Sequence, residues 1–390
     1  MKLLHTPSNP QPRSTPIRVG IAGLGRSGWD IHARTLMSMP ALFRVVAVAD
    51  PVRERRDEAR QATGARTHEG LEGVVNDADV ELVVVATPNH LHASDSIRAL
   101  RAGKHVVCEK PMALGGADAA SMIAAAGAAG RLLSPFQNRR YEPHHLKVRE
   151  IIRSGVLGEI VQIRLCWHQF TRRWDWQTLS RYGGGLLRNN GSHLLDHALQ
   201  LLDDAAGDGP PVDADRLRVW SDLREVLTLG DTEDHVKVMI AAPGGPTVDV
   251  ELTNACVFEQ DRWHVMGRSG GLRGTQERLE WRTIDWAQMP ERRLDASVPC
   301  EVDRVYHNER IPWKVDRWER PAGAPGEFER FYRGIHRAVR EGADLEVTPE
   351  SVLRLIRLVE RGHEASGSGR GSAPGGSVGR VAPVAAGATG

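Results

Sequence analysis

Cysteine is scarce in this chain, and its spacing excludes two kinds of protein. The four cysteines among 390 residues are Cys108, Cys166, Cys256 and Cys300. No two of them stand at the spacing of metal ligands, and a small secreted domain held by disulfides would be far denser in cysteine. We therefore expect reduced thiols, a cytoplasmic location and no bound metal.

A charge imbalance and long apolar runs are also missing. The formal net charge is +1, which gives no basic surface for nucleic acid and no strong attraction to a membrane. No apolar run approaches the roughly 20 residues that a membrane-spanning helix needs. The opening residues, MKLLHTPSNPQPRSTP, lack the apolar segment of a signal peptide and predict a disordered leader over 1–16. We expect partners that are neither nucleic acid nor membrane.

What the sequence does contain is a strong α/β pattern. With 41% hydrophobic and 26% charged residues, a chain of this length can bury a large core and usually divides into two domains. Short apolar runs alternate with helical stretches, namely IRVGIAG, FRVVAVAD, VELVVVAT and HVVCEK, with RLLSPFQN as the last strand. This order predicts a doubly wound Rossmann domain with a parallel sheet over residues 17–138.

The pattern changes after this point to alternating polar and apolar residues. Segments such as EIVQIRLCWHQF, DHVKVMIAA and TVDVELTNA have the period of two that is typical of a sheet with one covered face. We predict an α+β domain built on a large, mostly antiparallel sheet over 139–364, closed by two late helices. The Gly-, Ser-, Ala- and Pro-rich end predicts a disordered tail over 365–390.

A glycine-rich string follows the first strand directly and opens a helix. The string is Gly23-Leu24-Gly25-Arg26-Ser27-Gly28, and its context is that of a dinucleotide-binding loop. The first glycine would make the tight turn, the second would let the backbone approach a pyrophosphate, and the third would allow close packing of helix and strand. Taken alone, the string also fits a purely structural glycine turn.

An acidic residue at the end of the second strand supports the cofactor interpretation. Asp50 lies 27 residues after Gly23, where a carboxylate can accept hydrogen bonds from the adenosine ribose. Its charge would repel a 2′-phosphate, so we predict NAD, with NADP less favoured. Arg53, Arg55 and Arg56 would soften this preference, unless they form a solvated helix face.

Two further segments resemble a known family. Thr87, Pro88, Asn89 and His92 follow the third apolar strand, and Glu109-Lys110-Pro111 ends the next, where a doubly wound sheet presents ligand-binding loops. With the glycine loop and Asp50, this order resembles the glucose-fructose oxidoreductase/inositol dehydrogenase (Gfo/Idh/MocA) family. The resemblance continues through NRRY at 138–141, LGEI at 157–160 and GGGLLRNNGSHLLDHALQLL at 183–202, so it spans roughly residues 17–365.

The resemblance implies a catalytic site between the two domains. It places Lys110 beside the nicotinamide, often before a cis proline, and His193 opposite, where the pair would manage the proton of the reacting hydroxyl. The family pattern has an acidic residue four positions before this histidine, whereas this chain has Asn189. An amide can orient the imidazole or bind a substrate hydroxyl, but it carries no charge.

Further residues are assigned to the site with less support. The resemblance also implies cofactor contacts from Thr87, Pro88, Asn89, His92, Glu109 and Lys110, together with Leu24, Arg26 and Ser27 of the glycine loop. We expect Arg140, Arg172 and Trp174 to bind substrate beside Asn189 and His193, because arginines suit hydroxyl or carboxylate groups and aromatic faces suit sugar rings. Trp174 and the nearby Trp176 would alternatively cover the edge of the core. Asp196 and His197 would support the site from behind.

These residues predict an NAD-dependent oxidoreductase that moves a hydride to or from a hydroxyl-bearing carbon of a sugar, an inositol or a related polyol. Two alternatives stay open. Some relatives resemble glycosidases that oxidise a sugar transiently and recycle their NAD, and others resemble dinucleotide-binding regulators without catalysis. The resemblance also implies a homodimer or homotetramer, paired through the second-domain sheet.

Overall fold

The computed structural model describes residues 15–294, 307–323 and 326–367. Most of the predicted leader and the predicted tail beyond Gly367 lie outside the described residues.

The first sheet has six parallel strands in the order β3-β2-β1-β4-β5-β6. These strands are β1 (Ile17–Ala22), β2 (Phe43–Ala49), β3 (Arg66–His68), β4 (Leu82–Val85), β5 (His105–Cys108) and β6 (Leu133–Pro135). The predicted Rossmann sheet is thus confirmed.

Helices cover both faces of this sheet, which explains why its strands are apolar throughout. Every side chain of β4 is fully buried. The helices are α1 (Arg34–Met37), α2 (Arg53–Thr63), α3 (Leu71–Val75), α4 (His92–Arg101) and α5 (Gly116–Ala129). Because β1 pairs with both β2 and β4, the direction of winding reverses beside it, and a crevice lies at the carboxyl ends of β1 and β4.

The second sheet has eight strands in the order β14-β13-β12-β11-β7-β10-β9-β8. They are β7 (Ile160–His168), β8 (Arg218–Arg224), β9 (His235–Ala241), β10 (Thr247–Thr253), β11 (Trp263–Gly267), β12 (Gly270–Gly274), β13 (Arg278–Thr283) and β14 (Lys314–Glu319). All neighbours run antiparallel except β7 and β10, which pair in parallel from Gln162 and Thr247 onward. The predicted mostly antiparallel sheet is confirmed.

Four helices complete the described fold, namely α6 (Pro143–Arg153), α7 (Ser192–Ala206), α8 (Glu327–Glu341) and α9 (Pro349–Gly367). The apolar stripe of α7 is buried against the second sheet. Although α8 and α9 come last in the chain, they return to the first domain. The Tyr332 ring of α8 lies 5.4 Å from the Phe43 ring of β2, and Glu360 of α9 accepts a hydrogen bond from Gly116 N.

Short helical turns connect these elements. Two are π-helical, Ser27–Ala33 and Leu187–Gly191, and each leads directly into a helix. The 3₁₀ turns are Asn89–Leu91, Asn138–Tyr141, Trp176–Thr178, Ser180–Tyr182, Ala214–Arg216 and Trp286–Gln288. Within the described ranges, no helix has the length and apolar character to cross a membrane.

Candidate active site

The glycine loop lies between β1 and the π-helical turn, at the crevice. Gly23 has a φ of +91°, and a Cβ there would lie 2.4 Å from the carbonyl oxygen of Ala86. A Cβ on Gly28 would lie 1.9 Å from the carbonyl oxygen of Gly23. A Cβ on Gly25, in contrast, would meet no described atom within 4 Å. The loop itself requires Gly23 and Gly28, whereas Gly25 leaves room for a ligand to reach the backbone.

The remaining loop residues place donors and charge at the same point. The helix that follows begins at Ser27, so its first N–H groups face the crevice end of the sheet. Arg26 is exposed beside them, and Leu24 N donates to Asp50 Oδ2 at 2.8 Å. These features fit a dinucleotide, since a pyrophosphate needs close backbone approach, N–H donors and positive charge.

Asp50 is almost fully buried and is held by several groups. Its Oδ1 accepts a hydrogen bond from Val52 N at 2.9 Å, and Arg55 Nη1 lies 3.5 Å from Oδ2. Arg56 Nη1 donates to the Asp50 carbonyl at 2.7 Å. Of the three arginines, Arg53 has the 81% exposure of a solvated side chain. Arg55 is also exposed, at 49%, so the solvated-face interpretation fits it too, whereas Arg56, at 12%, is held against the Asp50 carbonyl.

The loops after β4 and β5 are tied together by His92. Its Nδ1 lies 2.7 Å from the Pro111 carbonyl oxygen, and its Nε2 lies 2.7 Å from the Thr87 carbonyl oxygen. Thr87 Oγ1 in turn donates to Asp95 Oδ2 at 2.9 Å. Pro111 follows a cis peptide bond, as the resemblance implies. The structure therefore places His92 behind the loops, where it holds them, and Pro88 at the start of the turn that follows β4.

Glu109 is buried beneath the lysine. Its Oε1 lies 3.2 Å from His32 Nε2, and its Oε2 accepts a hydrogen bond from Lys110 N at 2.8 Å. Burial alone would raise the pKa of Glu109, but the hydrogen bond from His32 and the charge of Lys110 outweigh it and lower the pKa to about 2. On its other side, His32 Nδ1 lies 2.6 Å from the Tyr332 hydroxyl. His32 and Tyr332 were not predictable from the sequence, because no spacing marks either residue.

Lys110 is partly buried and points across to the second domain. Its Nζ donates a hydrogen bond to Asn189 Oδ1. Burial lowers the pKa of Lys110 to about 8, Glu109 opposes this shift, and the charges of Arg139, Arg26 and Arg173 add to it. An amine with this pKa can both release and accept a proton near neutral pH, which is the property of a general acid or base.

Asn189 lies in the π-helical turn before α7 and orients the lysine. Its Nδ2 donates to Gln177 Oε1 at 3.2 Å, and the same oxygen accepts a hydrogen bond from Arg173 Nη2 at 2.7 Å. In the described residues no hydrogen bond joins the Asn189 side chain to His193, so the amide positions Lys110 and not the imidazole. Gln177 was not predicted from the sequence, whereas Arg173 belongs to the same loop as the predicted Arg172 and Trp174.

His193 is nearly fully buried in the first turn of α7. Its Nδ1 has no hydrogen-bond partner within the described part of the chain. Burial, followed by the charges of Lys110, Arg139 and Arg262, lowers the pKa of His193 well below its usual value. The imidazole is therefore neutral, and it lies close enough to Lys110 for the charge of the lysine to affect its pKa.

Asn89 connects the two sides of the site. Its Nδ2 donates to the Gly183 carbonyl oxygen at 3.1 Å, which joins the loop after β4 to the glycine turn before Asn189. The structure thus gathers the residues predicted from three distant segments, namely the glycine loop, the Lys110 loop and the start of α7. The part of the chain that is described contains no cluster of side chains suited to hold a metal ion.

Arg140 is engaged behind this site. Its Nε and Nη2 donate to Asp196 at 2.8 and 2.6 Å, and its Nη1 donates to Ser351 Oγ at 3.0 Å. His197 Nε2 lies 3.0 Å from the Arg139 carbonyl oxygen. Arg140, Asp196 and His197 therefore support the elements that carry the site, and the geometry lends no support to substrate binding by Arg140.

Arg172 and Trp174 lie on the loop that leads to Gln177. Arg172 Nε donates to the Leu227 carbonyl oxygen at 3.0 Å. Trp174 is 74% exposed, so it does not cover the edge of the core, and that alternative is wrong for this residue. The loop reaches the site through Arg173 and Gln177, whereas the Trp174 ring between them in sequence is exposed.

Comparison with known proteins agrees with this architecture. Residues 17–137 match the model of an oxidoreductase family with an NAD-binding Rossmann fold, and residues 145–273 match the GFO/IDH/MocA C-terminal domain. The scyllo-inositol 2-dehydrogenase (NADP(+)) IolW of Bacillus subtilis is 28% identical over 90% of this chain and 94% of its own. Inositol 2-dehydrogenase 2 of Saccharopolyspora erythraea is 29% identical over 66% of this chain and 72% of its own.

Solved structures show the same fold over nearly the whole chain. An NAD-binding protein from Listeria innocua superposes with a TM-score of 0.74 and 25% identity, covering 91% of this chain and 99% of its own. GenD2 from gentamicin A biosynthesis, solved in complex with NAD, has a TM-score of 0.72 and 22% identity over 95% and 98% of the two chains. With both domain models matched, this chain belongs to the Gfo/Idh/MocA family of oxidoreductases.

Proposed function

We propose that this chain is an NAD-dependent dehydrogenase or reductase that acts on a hydroxyl-bearing carbon of a cyclic polyol or sugar. The observation that carries the proposal is the contact between Lys110 Nζ and Asn189 Oδ1, with the neutral His193 close by. A lysine with a pKa of about 8 is held where the crevice of the first domain meets the second.

The cofactor assignment rests on the glycine loop and Asp50. The backbone at Gly25 and the N–H groups from Ser27 onward would hold the pyrophosphate, and Asp50 would accept hydrogen bonds from the ribose. When bound, the nicotinamide supplies or accepts the hydride at C4. NAD is proposed over NADP because the Asp50 carboxylate repels a 2′-phosphate, although Arg55 at 3.5 Å weakens that repulsion.

The proton is assigned to Lys110. In the oxidative direction, neutral Lys110 accepts the hydroxyl proton of the substrate, and in the reductive direction the ammonium returns it. Asn189 holds Nζ in place without adding charge. The buried neutral His193 orients the same hydroxyl through a ring nitrogen and keeps water from the reacting carbon.

The substrate class is supported by the relatives named as inositol dehydrogenases and by the amides and arginines around Asn189. Arg173 and Gln177 are hydrogen-bonded to each other beside Asn189, and the exposed ring of Trp174 on the same loop suits the C–H face of a sugar ring. A regulator that only binds NAD would have no use for a lysine with a shifted pKa, so we favour an enzyme over that alternative.

The proposal is tested by turnover with NAD against a panel of inositols and sugars, followed by NADH absorbance. Lys110→Ala and His193→Ala should each lower turnover by roughly 10²–10⁴-fold with nearly unchanged NAD binding. Lys314→Ala, at a lysine that is 76% exposed on β14, serves as the control and should be unaffected. Full activity in the first two variants would contradict the assignment, and turnover of glycosides without net NADH would favour the glycosidase alternative.

A further inference from the structure

A buried chain of hydrogen bonds runs from the last part of the sequence to the lysine loop. The Tyr332 hydroxyl of α8 bonds His32 Nδ1 at 2.6 Å, and His32 Nε2 bonds Glu109 Oε1 at 3.2 Å. Glu109 Oε2 then accepts a hydrogen bond from Lys110 N at 2.8 Å. Tyr332 and His32 have no solvent exposure, so no water competes for these bonds. We refer to these residues as the Tyr332–His32–Glu109 chain.

The direction of each hydrogen bond follows from the charge of Glu109. With its pKa at about 2, the carboxylate is ionised and can only accept, so His32 Nε2 carries the donated hydrogen. In the tautomer that carries its hydrogen on Nε2, Nδ1 is an acceptor and receives the hydrogen of the Tyr332 hydroxyl. Burial raises the pKa of Tyr332 well above its usual value, so the phenol keeps this hydrogen at any working pH.

We propose that Tyr332 and His32 are positioning residues for the reaction, which fix the Glu109 carboxylate against the backbone of Lys110 and so hold the lysine at the reacting oxygen. His32 belongs to the π-helical turn that follows the glycine loop, and Tyr332 belongs to α8. The Tyr332–His32–Glu109 chain therefore connects the helical turn after the glycine loop, the lysine loop and α8.

Glu109 is also the carboxylate that opposes the other charges around the lysine. The cations that lower the pKa of Lys110 are Arg139, Arg26 and Arg173, and its remaining neighbours at the site, His193 and Asn189, are neutral. Fixing Glu109 thus sets both the direction and the charge of the lysine. If Glu109 turned away, the pKa of Lys110 would fall further below about 8, because burial and the three arginines would act unopposed.

The test measures Lys110 directly and does not require turnover. Trace acetic anhydride labelling across a pH series, read by peptide mass spectrometry, gives the pKa of each of the six lysines, with the exposed Lys314 as internal reference. We expect Tyr332→Phe and His32→Leu to lower the Lys110 pKa by up to about one unit. On the proposed function, kcat should fall roughly 10-fold and 100-fold respectively, with the NAD Kd within about twofold.

Two further variants separate positioning from general stability. His32→Gln keeps an N–H that can donate to Glu109. Its Lys110 pKa and its kcat should therefore lie much closer to those of the unmodified protein than the values of His32→Leu do. Tyr141→Phe removes another buried hydroxyl, bonded to Glu346 and packed 6.5 Å from the Phe331 ring of α8, and should leave the Lys110 pKa unchanged. If His32→Leu does not fold, the Lys110 pKa values measured in Tyr332→Phe and His32→Gln still test the inference.

The inference uses the proposed function only in taking Lys110 as the acid or base. Absence of any NAD-linked turnover in the unmodified protein would refute the proposed function, whereas the labelling measurement would still judge the Tyr332–His32–Glu109 chain. An unchanged Lys110 pKa in both Tyr332→Phe and His32→Leu, or an equal shift in Tyr141→Phe, would overturn the inference.

Discussion

Replacing Asn189 by an aspartate places a carboxylate where an amide now faces Lys110. The hydrogen bond from Lys110 Nζ to Asn189 Oδ1 crosses between the domains and adds no charge to a partly buried site. The family pattern that the resemblance implies has an acidic residue at this position, so Asn189→Asp restores that pattern. We expect a functional enzyme with an altered pH dependence.

The size of the effect follows from the pKa of about 8 that burial and neighbouring arginines give Lys110. An opposite charge within hydrogen-bond distance raises the pKa of an amine by about 1–3 units, or about 1.4–4 kcal/mol. At pH 8 the neutral fraction of the lysine would fall from about one half to between about one tenth and one thousandth. Oxidation at pH 8 should therefore slow about five- to five-hundred-fold and recover as the pH rises.

The assay is the pH profile of kcat in both directions. Oxidation needs neutral Lys110, so its rising limb should move to higher pH, whereas reduction, which uses the ammonium, should change little near pH 7. Asn190→Asp adds the same charge one position along, at a side chain that makes no hydrogen bond to a described residue, and should move the limb far less. The reasoning would be refuted if the rising limb of the oxidation pH profile did not move in Asn189→Asp, or if it moved equally far in Asn190→Asp.

Three further predictions concern binding and assembly. Direct titration should show NAD binding at least tenfold tighter than NADP, about 1.4 kcal/mol, because of Asp50, and tighter NADP binding would contradict this. Trp174→Ala should raise the KM for the sugar or polyol several-fold with little change in kcat, whereas Trp220→Ala, at a ring that is 55% exposed on β8, should not change KM. Light scattering should show a dimer or tetramer formed through the second-domain sheet, and a monomer at micromolar concentration would count against it.

Some features of the site were predictable because they are local. The glycine loop, the apolar strands and the position of Lys110 after β5 depend on residues that are neighbours in sequence, and the parallel sheet brings their carboxyl ends to one edge. His193 was predicted from the resemblance and lies, buried, at the start of α7. The partner of Asn189 was not predictable, since the π-helical turn changes the direction of its side chain relative to the histidine four residues on.

The sequence by itself determined the fold class, most of the strands, and the cofactor loop, because the periodicity of apolar residues and the conformational freedom of glycine act over a few residues. The short β3 and the last two strands, β13 and β14, were not predicted. Only the tertiary structure decided which side chains control the lysine. Asn189 is 79 residues from Lys110, and Tyr332 is 300 residues from His32. Such pairs arise from the packing of α7 and α8 against the first domain, a long-range contact that leaves no local pattern in the chain.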